Sequence, residues 1–204
     1  LRDRPECDTT HLVLLGHSLG ASIAPEIAAH MPSVDGVVML APIARPLEVV
    51  IADQLRFIAS QQDSLPPADQ IKLRSEIDKS EQIRQEKLMK SKMLMNAPAS
   101  YYYDLHDRDQ NAYAQGLNIP FFIARGSKDY QASQMEMLLW KKWLAEKSNA
   151  TFCSYEDAYH IFIRTDATPG PRNYQEEGHV MLDLINDLST WCRTFTLPSD
   201  TYNR

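Results

Sequence analysis

The chain has 204 residues, 44% of them hydrophobic and 24% charged, and a formal net charge of −6 at pH 7. Ordinary apolar content and a balance of 21 basic against 27 acidic residues argue for one folded domain with material for a core and against disorder. A pI near 5.5 argues against nucleic acid as a partner, and no run of 18 apolar residues is present to cross a membrane. Cys7, Cys153 and Cys192 are odd in number and far apart. They read as free thiols of a reducing compartment, which favours the cytoplasm, and not as a disulfide framework or a zinc site. Glycine is scarce, at 7 of 204, so the place of each one carries information.

Residues 11–15 form a short apolar run, the pattern of a strand buried on both faces of a parallel sheet. Gly16-His17-Ser18-Leu19-Gly20 follows at once, and 21–30 reads as a helix with Leu19, Ile23 and Ile27 along one side. Pro25 lies inside that helix and should cost something unless the helix effectively starts late. Residues 36–41 repeat the buried-strand pattern and stop at Pro42, giving the strand–turn–helix–strand alternation of an α/β sheet. Residues 44–98 differ in kind: an amphipathic helix over 47–58, a Pro66-Pro67 break, then a highly charged helix over 68–95 with sparse apolar positions. Its interleaved charges mark a solvated face. Sheet signals resume at 119–124, followed by Arg125-Gly126-Ser127-Lys128-Asp129, a helix over 133–147 and a strand over 150–155. A loop carries Tyr159 and His160, a polar stretch covers 165–178, and the last helix spans 177–194. There is no internal repeat.

The chemistry begins at Ser18. Gly16-His17-Ser18-Leu19-Gly20 fits G-x-S-x-G, and it lies between an expected strand and an expected helix, the context that separates a nucleophile elbow from a chance match. The turn is so tight that small residues are expected two positions either side of the serine, which places Gly16 and Gly20. The helix start beyond it offers backbone N–H groups to a developing oxyanion. A serine nucleophile needs a base and an orienting acid, in the chain order Ser, Asp or Glu, His. Asp129 follows a later strand and is the candidate acid; a turn or capping aspartate is its plainer alternative, and Asp157 and Asp166 fit the order less well. Of six histidines, His11, His17, His30 and His106 precede Asp129. His160, just after a strand, is the candidate base, while His179 opens the final helix and suits a capping or surface role. No G-x-G-x-x-G supports a nucleotide cofactor, and neither a cofactor nor a metal is expected.

These residues resemble the bacterial serine esterases of the α/β-hydrolase superfamily, including their serine-aminopeptidase-like hydrolases. The likeness runs from about residue 11 to 194: Leu15 to Gly20, Ala44-Arg45-Pro46-Leu47-Glu48, Tyr101-Tyr102-Tyr103-Asp104-Leu105, Gly126-Ser127-Lys128-Asp129-Tyr130-Gln131 and His160-Ile161-Phe162. The sequence departs from the family where Ala21 replaces a second glycine, Tyr159 stands for Asn, Ile161 for Leu and Ala132 for Val, changes that bear on substrate preference. The resemblance implies a Ser18–His160–Asp129 triad, with Leu19 N–H as one oxyanion donor, acting on a small-molecule ester. Thioester or peptide cleavage is the alternative within the fold, and a non-catalytic scaffold the alternative outside it. It also implies a partial α/β-hydrolase fold: a mostly parallel sheet of about four strands, core parts at 1–43 and 99–204, and a helical cap at 44–98. Because only ten residues precede the first strand and residue 1 is Leu, the expectation is the C-terminal two-thirds of an esterase. The second oxyanion donor would then lie in a missing N-terminal segment, and the strand at 11–15 would be open to pairing with that segment or with another copy.

Overall fold

The computed structural model describes residues 10–61, 66–175 and 177–194; Cys7 lies outside them. Four parallel strands, β1 (Val13–His17), β2 (Gly36–Leu40), β5 (Phe121–Gly126) and β6 (Ala150–Tyr155), form the main sheet in the order β1-β2-β5-β6. Val38 faces Leu15 on one side and Phe122 on the other, and Ile123 faces Phe152. The central pair are the most apolar runs of the chain, and every residue of β5 is buried. Alternation along these strands supplies two cores. Val37, Met39, Phe121 and Ile123 meet Ala21, Ala24 and Ala28 of α1 (Leu19–Ala29), with Met137 and Trp140 of α6 (Gln134–Trp143). Val38, Phe122 and Ala124 face Val50, Phe162 and Leu184, the last from α7 (Leu182–Arg193).

The expectation that β1 is buried on both faces is corrected. It is an edge strand, with Leu15 53% exposed, because among the described residues it pairs on one side only. Helix α1 starts at Leu19 and runs through Pro25, so the helix does not start late and the proline lies in its interior. Pro25 is buried and has no N–H to give the Ala21 carbonyl.

Between β2 and β5 the chain forms α2 (Leu47–Ser60), α3 (Pro67–Arg84), a small antiparallel pair β3 (Met93–Leu94) and β4 (Ala97–Pro98), α4 (Ala99–His106) and α5 (Gln110–Gly116). The charged helix expected to reach 95 ends at Arg84. Glu86 turns into the left-handed region at φ 57°, and the chain folds back so that Leu94 joins Ile83, Ala99 and Tyr102 in a third apolar cluster. Tyr102 donates to the Leu94 carbonyl at 3.1 Å and fixes the return. A straight helix would have left Leu94 in solvent; the hairpin brings it to 0% exposure. The last helix starts at Leu182 instead of 177, after a 3₁₀ turn at Pro171–Gln175 within the polar stretch. Cys153 and Cys192 are half-buried free thiols.

Candidate active site

Ser18 stands between the end of β1 and the start of α1 with φ 55° and ψ −124°, a strained backbone for a residue with a side chain. The strain is held by the surrounding backbone: Ser18 N–H donates to the Leu40 carbonyl at 2.8 Å, and Ser18 O accepts from Ala21 N and Ser22 N at 3.0 and 3.1 Å. Close approach explains Gly16, where a Cβ would lie 2.3 Å from the Gly20 carbonyl oxygen. The matching expectation for Gly20 is corrected, since a Cβ there meets nothing within 4 Å. Ser22 Oγ accepts from Ile43 N at 2.9 Å and donates to Ile43 O at 2.7 Å, tying α1 to the loop after β2.

The candidate acid, Asp129, sits beyond β5. A Cβ on Gly126 would come 2.2 Å from the Ala158 carbonyl oxygen, so only glycine lets the loop carrying Asp129 approach the loop carrying His160. Lys128 N–H then donates to Ala158 O at 2.9 Å, and Ser127 N–H to Tyr155 O at 2.8 Å. Asp129 is 2% exposed; its Oδ1 accepts from Gln131 N at 2.8 Å and Ala132 N at 2.9 Å, while Oδ2 faces His160 Nδ1 at 2.9 Å. Arg125, also buried, holds the outer side of this turn through Ala132 O at 2.9 Å and Asp129 O at 3.1 Å. Burial pushes the Arg125 guanidinium below its ordinary pKa, and the Asp129 charge works against that shift.

His160 is 5% exposed. A carboxylate can only accept, so Nδ1 carries the proton given to Asp129 and Nε2 of the neutral ring is left as the acceptor, the atom a general base needs. The loop carrying His160 reaches the turn at Ser18 through His17. His17 Nε2 donates to the His160 carbonyl at 2.9 Å, and the two rings lie 4.7 Å apart, centroid to centroid. Asp129 and His160 are thus in direct contact and His160 lies beside the residue preceding Ser18, while no hydrogen bond joins Ser18 Oγ to His160 among the described residues.

The rival candidates have other surroundings. Asp157 pairs with Lys128 at 3.0 Å, Asp166 and His179 are exposed, and His30 binds its own helix at Glu26 O. His106 pairs with buried Glu48 at 2.9 Å. Sequence reasoning missed His17, Arg125 and Glu136. Glu136 is wholly buried and accepts from Ala44 N, Arg45 N and the Arg45 guanidinium, which locks the loop after β2. Helix α2 is tied to the turn that carries Asp129 by Gln54, which donates to Gln131 O at 3.0 Å, and by Phe57 stacked on Tyr130.

Residues 3–166 match the family model described as serine aminopeptidase, S33. Esterase EstD of Thermotoga maritima is 34% identical over 188 residues, covering 90% of this chain and 43% of its own length. The chain therefore spans less than half of that relative. Est1E from Butyrivibrio proteoclasticus superposes with a TM-score of 0.50 at 13% identity, covering 74% of this chain and 53% of that one. Est1E with ferulic acid bound superposes equally well, at 14% identity.

Proposed function

The chain belongs to the serine aminopeptidase S33 family of α/β-hydrolases, and on that premise we propose that it cleaves carboxylic esters through an acyl-enzyme on Ser18. The observation that carries this reading is the buried 2.9 Å contact between His160 Nδ1 and Asp129 Oδ2 beside a strained serine elbow. Asp129 holds the imidazole in the tautomer whose Nε2 takes the Ser18 proton. Ser18 Oγ attacks the acyl carbonyl, His160 returns the proton to the departing alcohol, and water activated by the same nitrogen releases the acid. Leu19 N–H, among the first of α1 and so without a partner inside the helix, donates to the developing oxyanion. The family's second donor comes from the loop after its third strand. A site with one donor runs about 10²–10³ slower than one with two.

Residues 44–98 form the cap in this reading, with α2 closing over the acid turn. The substrate is a small ester, and the 34% identity to an esterase favours esters over other acyl bonds. The family description keeps peptide substrates as the second reading. The open edge of β1 is the surface for pairing with another strand, from a second copy or from a segment N-terminal to it. Turnover of p-nitrophenyl acetate, thioester and aminoacyl anilide substrates is the test. Ester turnover above the other two, lost in Ser18→Ala, is expected; undiminished turnover in Ser18→Ala overturns the assignment.

A further inference from the structure

Side chains alternate along β1, so Val13, Leu15 and His17 share one face of the sheet. Val13 packs against the apolar cluster that holds Ala158 and Phe162, which flank His160 in the chain. Sheet pairing fixes the backbone at His17: it sits opposite Leu40, and the next N–H, that of Ser18, donates to the Leu40 carbonyl at 2.8 Å. Residue 17 is thus held by the same backbone that holds Ser18.

His160 occupies the second position of a four-residue turn over 159–162. Phe162 N–H closes it by donating to the Tyr159 carbonyl at 2.8 Å, and Tyr159 N–H donates to the Ile163 carbonyl at 3.1 Å. The His160 carbonyl takes no part in these two bonds and is met from outside by His17. A carbonyl can only accept, so His17 Nε2 carries the proton and donates at 2.9 Å, across 143 positions of sequence. The two rings lie 4.7 Å apart, centroid to centroid, tilted by 52°. Asp129 fixes His160 Nδ1 to the turn after β5, which sets the tautomer but ties nothing to Ser18. The bond from His17 ends on the main chain of His160 itself and starts one residue before Ser18.

We propose that His17 is a positioning residue for His160. Its hydrogen bond fastens the main chain of the base to the residue preceding the nucleophile, and so sets the distance between the imidazole and Ser18 Oγ. The proposal rests on the serine-hydrolase reading in calling these two residues base and nucleophile. It deepens that reading by assigning the alignment of the pair to a third side chain. Misplacement of a reacting group by about 1 Å can cost about 10²-fold in rate, so a bond that sets this distance acts on the maximal rate.

Three variants separate the hydrogen bond from the ring, and His17 is exposed, so substitution there leaves the core in place. Gln brings an amide nitrogen to the place of imidazole Nε2, Asn carries its nitrogen only as far as the place of Nδ1, and Phe keeps a ring without a donor. Two readouts are taken. One is the line width of the His160 Nδ1 proton by ¹H NMR, assigned by its loss in His160→Gln. The other is the saturation kinetics of fluorophosphonate labelling at Ser18. His17→Gln is expected to keep a sharp proton signal and a maximal labelling rate within about threefold of the unsubstituted chain. His17→Phe and His17→Asn are expected to broaden the signal through exchange with water and to lower the maximal rate about tenfold or more, with half-saturation unchanged. Packing of the rings alone would spare Phe and not Gln. That outcome, equal loss in all three variants, or a loss below about tenfold in both Phe and Asn overturns the proposal. An inert Ser18 in the unsubstituted chain would count against the serine-hydrolase reading instead, and the proton signal would then decide the place of His17 by itself.

Discussion

A Cβ on Gly16 would sit 2.3 Å from a backbone oxygen and 2.7 Å from the Ala21 Cα, positions that can yield only if the elbow itself moves. Gly16→Ala is therefore expected to displace Ser18 and abolish its reaction with a fluorophosphonate. Gly20→Ala, into open space, should leave that reaction intact and add helix propensity. Equal labelling of the two variants would show that the close contact does not govern the elbow. At Asp129 the expectation concerns a tautomer. Asn keeps the shape of the turn but stabilises the wrong protonation of His160, so Asp129→Asn should lower kcat by about 10⁴ with an unchanged circular dichroism spectrum. A loss below tenfold would remove Asp129 from the mechanism. Chain order and place after strands mark Ser18, Asp129 and His160 as candidates, and the structure brings Asp129 and His160 into contact. His17 and Arg125 are not marked in this way, because what they do is donate to backbone carbonyls of residues distant in sequence or across a turn. No residue-type pattern records such a contact.

At the scale of elements, the strands were legible where burial is two-sided. β2 and β5 are continuous apolar runs, and the structure places them at the centre of the sheet. The edge strand β1 has the same composition, and nothing in its own residues distinguishes an edge from a centre; its neighbours decide that. The charged stretch 68–95 misled for another reason. Helix propensity and charge continue past Arg84, but the hairpin buries Leu94, and tertiary packing overrides the local preference. The loop after β2 depends on Glu136, a wholly buried carboxylate from α6. Removing one member of such a buried pair strands the other, so Glu136→Ala should destabilise the chain by about 3 kcal/mol in urea unfolding. A change under about 1 kcal/mol would mean that Asp53 alone satisfies Arg45.

For the whole molecule, the buried tyrosines set an alkaline limit. Burial, as the first cause, pushes Tyr102 from its ordinary 10 up to about 12, and burial followed by the hydrogen bond to Asp187 pushes Tyr155 up as well. The sign is that of a raised folded-state pKa. Below pH 10 both states hold the proton and there is no effect; above it the unfolded chain ionises first, and stability falls until the folded pKa is passed. Each buried tyrosine contributes about 1.4 kcal/mol per pH unit in that window. Urea midpoints should drop between pH 10 and 12, less steeply in Tyr102→Phe; a flat profile would contradict this.

The central claim is that Ser18 is a nucleophile served by His160. Intact-mass and peptide-level analysis after incubation with a fluorophosphonate tests it most directly. A single adduct on the peptide containing Ser18, lost in both Ser18→Ala and His160→Gln, is the predicted result. An unmodified chain, or an adduct that persists on another residue in Ser18→Ala, would contradict it.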